Sequence, residues 1–286
     1  MIPSLHPVIE DARLSQAAEQ HYTDAVSSDD AIGELLDAVR GFVDDDLPHY
    51  TRCLTGAFDL VQPVFMRKRY ASFFWHCAVS VPSYLEHVVA AGSSGEGEGA
   101  EKLFGLWSGI DDDEAAAAQV LRHAQDEARH ARMFLRLADA VAPGCLAPDE
   151  IARREALLPA SGPRQRPAAA ERIPAPHLID HLVQMNIGEI RTRLHMHLFA
   201  PVLYNVAPAA NRKLVRGTLE ALAHDELRHI AYTAQLVEQW AREGDAGFIA
   251  SLYCSRLDSF NRITVEHTEG AVRQYGQGRF PDLLAL

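Results

Sequence analysis

Two stretches of the chain carry side chains that could hold metal. Residues 123–134 read HAQDEARHARMF, and residues 224–235 read HDELRHIAYTAQ. Both contain Asp-Glu-x-Arg-His, which places Glu127 three residues before His130 and Glu226 three before His229. On a helix, positions i and i+3 share a face, so each pair presents one carboxylate and one imidazole together. A solvated face laced with ion pairs would have polar neighbours. Instead Glu127 shares its face with Val120, Ala124, Ala131 and Phe134, and Glu226 with Leu219, Leu222, Ala223 and Ile230. Acids and histidines on such faces turn inward, where a charge must be paired or bound to a cation.

Two further helices must supply the rest of the site. Glu86 is the sole acid between Asp59 and Glu96, and Glu189 shares its predicted helix only with Asp180, on the opposite face. The expected ligand set is therefore Glu86, Glu127, His130, Glu189, Glu226 and His229. Four carboxylates balance two divalent cations, and mixed oxygen and nitrogen donors suit iron or manganese better than zinc or calcium. One Glu from each of two helices and Glu-x-x-His from each of two others is a di-metal pattern of four-helix bundles. His123 lies on the same stripe as Glu127 and His130. It reads as a pocket residue behind the ligands, with a seventh ligand as the alternative. Asp126 and Asp225 lie about a hundred degrees off the metal face. Each is expected to orient a histidine or arginine across the bundle, or else to pair with Arg129 or Arg228 of its own turn.

The elements that position these residues read as long helices, with no period-2 β pattern. Helices are predicted near 31–45, 48–65, 67–91, 111–141, 177–200, 209–243 and 246–275. A flexible loop is predicted over 92–99, followed by a short helix near EKLFGLWSG. A crossover is predicted over 145–175, and Pro201 is expected to stop the helix before it. Pairing 67–91 with 111–141 and 177–200 with 209–243 gives an all-α, one-crossover four-helix bundle with extra N- and C-terminal helices. The whole chain, 1–286, reads as a single domain.

Composition bounds the partners. A formal net charge of −12 argues against nucleic acid and anionic membranes. Four scattered cysteines argue against a disulfide scaffold and for a reducing compartment. The N-terminus lacks a basic and apolar leader, and the apolar stretch 71–91 is broken by His76, Pro82 and Glu86, so a cytoplasmic location is expected.

The doubled Asp-Glu-x-Arg-His resembles the ferritin-like di-iron carboxylate proteins. Within them it is similar to the soluble oxygenase branch: multicomponent hydroxylases, acyl-carrier-protein desaturases and arylamine N-oxygenases. DELRHIAYT is especially similar to the second desaturase motif, and Thr192 matches a threonine those enzymes place near the oxygen site. The N-oxygenases carry an additional histidine where this chain has Leu222. The resemblance implies two iron ions (manganese as an alternative), O2 as co-substrate, and oxidation of a small organic substrate by C–H hydroxylation or amine N-oxygenation. It also implies an external electron donor, ferredoxin or reductase, and a monomer or homodimer. Desaturation of an acyl chain, iron handling as a ferroxidase and di-manganese catalase chemistry are the alternative readings.

Overall fold

The computed structural model describes residues 31–67, 70, 77, 84–111, 113–162, 164–166 and 171–276, with side chains left out at 87 and 267–276. Every regular element among them is helical, so the chain is an all-α helical bundle. In chain order these are α1 (Ala31–Arg40), α2 (Pro48–Val61), a 3-10 turn (Val64–Met66), α3 (Tyr84–Ser108), α4 (Glu114–Val141), α5 (Pro148–Leu157), α6 (Ala175–Val206), α7 (Arg212–Trp240), a π turn (Ala241–Asp245) and α8 (Ala246–Gly276). The predicted helix 67–91 lies outside the described residues over most of 67–83.

Three local readings are corrected. The predicted loop 92–99 is the interior of α3. Each of its four glycines costs a helix about 0.8–1.0 kcal/mol relative to alanine, which is why the segment reads as a loop. Close packing explains two of them. A Cβ at Gly92 would lie 2.9 Å from the Phe134 ring, and one at Gly97 would lie 3.0 Å from Leu158. Second, α6 does not stop at Pro201 but runs to Val206. Proline forfeits one backbone hydrogen bond. Buried Leu198 and Phe199 before it, with Val202 and Leu203 after it, hold the helix through the break. Third, the crossover contains a short helix, α5.

Helix ends follow local chemistry. Asp113 caps α4, its Oδ1 accepting from the Ala116 N–H at 2.9 Å. Gly144 takes a positive φ of 79° after α4, and its N–H donates to Asp139 Oδ1 at 3.0 Å. Gly244, at φ 126°, separates α7 from α8. Pro48 opens α2, and its N-terminal donors are met remotely. Glu238 Oε2 accepts from the N–H groups of His49 and Tyr50 at 2.7 and 2.8 Å.

Contacts group the chain into two compact units. The first comprises Met1–Leu85, Asp180–Val206 and Glu226–Leu286. In it α8 packs on α2, and the Tyr50 and Tyr253 rings meet edge to face at 6.3 Å. Both hydroxyls donate to Asn186 Oδ1, at 3.2 and 2.9 Å. The Asn186 amide donates to Thr233 Oγ1 at 2.9 Å, and the Thr233 hydroxyl donates to the His229 carbonyl at 2.7 Å. The second unit comprises Glu86–Ile179 and Ala207–Asp225. There α3 packs on α4 through Gly92 and Phe134, and Asn211 Nδ2 donates to the Ala140 carbonyl at 2.9 Å.

Candidate metal centre

The Asp-Glu-x-Arg-His of α4 lies in a run where Val120, Ala124, Ala128 and Ala131 are fully buried. Small apolar neighbours leave room for charged side chains, and Glu127 and His130 are buried with them at 3% and 0% exposure. His123 is buried one turn earlier. Its Nε2 lies 3.5 Å from Glu127 Oε1, and His130 Nδ1 lies 3.4 Å from the same oxygen. On α7, His229 Nδ1 lies 3.5 Å from Glu226 Oε2, so the second motif repeats the arrangement of the first. These separations exceed a good hydrogen bond. Two donors each about 2.1 Å from one cation, at octahedral to tetrahedral angles, lie about 3.0–3.4 Å apart.

Two sets of four side chains each offer one donor atom within 4.8 Å of one another. One is His123, Glu127, Glu189 and His229; the other is Glu96, Glu127, His130 and Glu226. Glu127 belongs to both, so together they comprise four carboxylates and three imidazoles. This donor chemistry fits a pair of divalent cations. The negative charges would balance such a pair through mixed oxygen and nitrogen donors.

Burial and the neighbouring charged groups act in opposite directions on Glu127 and His130. Burial alone would raise the Glu127 pKa, but the polar groups of Glu96, His123 and His130 beside it outweigh that effect and hold the carboxyl well below its usual range. Burial alone would lower that of His130, yet Asp225 and Glu127 push it up to about 9.

Asp225 fixes the imidazole. Its Oδ2 lies 3.2 Å from His130 Nε2, leaving Nδ1 as the nitrogen on the ligand side. Arg129 also donates to Asp225, and it reaches Asp126 Oδ1 of its own turn at 2.9 Å. Asp225 thus engages two residues of a different helix, while Asp126 meets Arg129 one turn along its own helix. Thr192 and Arg228 are half-buried on α6 and α7, and His224 is exposed. Burial lowers the Arg193 pKa even though the Glu226 charge favours its cation.

Of the sequence-derived ligands, the structure brings His123, Glu127, His130, Glu189, Glu226 and His229 into the two sets. Glu86 belongs to neither. It lies near the start of α3, where its charge helps raise the Cys145 pKa behind the larger effect of burial. Glu96 enters instead, ten residues along the same helix and so about 15 Å further down its axis. Sequence reasoning missed Glu96 because the glycines around it read as a loop. The available signal was spacing: an acid inside a continued helix, within reach of Glu127.

No family model, curated protein or solved structure matches the chain. Buried histidines and carboxylates that could hold metal stand on geometry alone. No helix among the described residues is long and apolar enough to cross a membrane.

Proposed function

We propose that the chain is a non-heme di-iron oxygenase that uses O2 to oxidise a small organic substrate, by C–H hydroxylation or amine N-oxygenation. The carrying observation is the pair of buried four-residue donor sets that share Glu127. A bound iron pair would supply the oxygen and electron-transfer chemistry that side chains lack. Glu96, Glu127, Glu189, Glu226, His123, His130 and His229 would hold it. Asp225 keeps the His130 ring turned so that Nδ1 faces its ligand partner. The alanine and valine side chains around Glu127 exclude water from that carboxylate. Thr192, one helical turn from Glu189, is a candidate to hold or pass a proton near the substrate. Electrons would come from a ferredoxin or reductase, because the sequence carries no flavin, nicotinamide or iron–sulfur motif.

Metal analysis of two variants tests the centre. Glu127 serves both donor sets, whereas Glu226 serves one. Glu127→Ala should lose both ions and Glu226→Ala should retain one. Full metal content in Glu127→Ala would overturn the assignment. Oxygen uptake by the reduced, iron-loaded protein tests the reaction. Uptake that rises with an added amine or aryl substrate supports an oxygenase. Disproportionation of peroxide without any organic substrate supports catalase chemistry instead.

A further inference from the structure

Seven side chains make up the two donor sets. Six are buried and Glu96 alone is half-buried. The turn that carries it, residues 92–99, is Gly-Ser-Ser-Gly-Glu-Gly-Glu-Gly, without one apolar side chain. Its flanks are anchored: Val89 and Ala90 are buried on one side, Ala100, Leu103 and Phe104 on the other. Gly92 and Gly97 have close neighbours, but a Cβ at Gly95 would meet nothing within 4 Å. Packing therefore does not require glycine at 95, and its effect there is to weaken the helix beside a metal-side carboxylate. A ligand on a weak turn, nearest to solvent, between two firm stretches, is the one that can leave without unfolding the rest.

We infer that Glu96 is the exchangeable ligand of the centre, and that the turn 92–99 is the port through which a divalent cation enters and leaves. The inference rests on reading the site as a metal centre. Loosening of the turn withdraws Glu96 from Glu127. Return of Glu96 to the bound cation rebuilds the turn and closes the port. The other six donors, on α4, α6 and α7, stay in place throughout.

The test uses the full chain with Mn(II) as the probe, followed by hydrogen exchange and by chelator-driven release. In the metal-free protein, amides of 93–99 should exchange at least tenfold faster than those of 124–131, and Mn(II) should slow them. Gly95→Ala should slow Mn(II) release about fivefold, the factor that corresponds to about 1 kcal/mol. Gly105→Ala, in the same helix with equally open space, should leave release unchanged. Glu96→Gln should speed release at least tenfold. The port is refuted by metal-free protection of 93–99 equal to that of 124–131, by unchanged release in Gly95→Ala, or by unchanged release in Glu96→Gln. A wild-type chain that binds no Mn(II) refutes the metal centre itself, and that outcome is separate from the other three.

Discussion

Helices α3 and α6 each bring one carboxylate to the candidate centre, yet they are built in opposite ways. On α6, Glu189 follows Asn186 by one turn, and Asn186 is fully buried with both ends of its amide engaged. Ile187 and Ile190 pack beside the ligand. On α3, Glu96 stands among glycines and serines, half-buried, with no apolar side chain inside its turn. The same carboxylate group is thus set once among buried apolar residues and once among glycines and serines. How firmly a donor is held is a property of the residues around it, and the ligand itself does not reveal it.

That contrast can be broken or sharpened by mutation. The largest effect is expected at Asn186. Replacing it with leucine removes the acceptor of two buried tyrosine hydroxyls, and each orphaned group costs about 1–3 kcal/mol. Urea unfolding of the metal-free Asn186→Leu protein should show a loss of about 3 kcal/mol. A loss under about 0.5 kcal/mol would mean that α6 is not clamped there.

Next comes a pair of glycines on α3. Gly92→Ala should destabilise by about 1–3 kcal/mol, the usual cost of overpacking, because its Cβ meets the Phe134 ring at 2.9 Å. Gly95→Ala, three residues on, should stabilise by about 1 kcal/mol. Opposite shifts in melting temperature support the account of α3. Shifts of the same sign would reduce the two sites to one common cause.

The smallest effect concerns pH and α6. Burial and then the Arg191 charge lower the His195 pKa from 6.5 to about 3. The unfolded chain takes up this proton below 6.5 while the folded chain resists until about 3. The His195 contribution is therefore complete above 6.5 and is lost progressively as pH falls from 6.5 towards 3. His195→Phe keeps a ring beside Tyr70 and Phe199, with which His195 stacks and meets edge to face. Between pH 7 and pH 5 the variant should lose less stability than the wild-type chain. Equal losses would exclude His195 as the cause.

The same contrast explains what could be read from the sequence. Six of the seven side chains in the two sets stood out in the sequence because their helices follow the apolar period, His123 first as a pocket residue. Glu127, His130, Glu226 and His229 come from the doubled motif, His123 from its stripe, and Glu189 from its isolation among apolar residues. The all-helical class was legible for the same reason. Glu96 was not, because local propensity in 92–99 argues for a loop while packing by Phe134 and Leu158 draws it into a helix. Pro201 misled in the same direction: buried neighbours on both sides outweigh one missing hydrogen bond. The network joining Tyr50, Asn186, Thr233 and Tyr253 was also invisible. Its longest hydrogen bond spans 136 positions between side-chain tips, and no periodic pattern records such pairings.

The remote cap of α2 has a consequence for how the chain is made. The His49 N–H waits for an oxygen of Glu238, 189 residues later. At about 5–20 residues per second, synthesis takes roughly 10–40 s to reach that glutamate. Until then the first turn of α2 lacks this acceptor, and its partner α8 is not yet translated. Completion of this region therefore waits on a contact of high sequence separation. The first described helices of the chain are among the last to be finished.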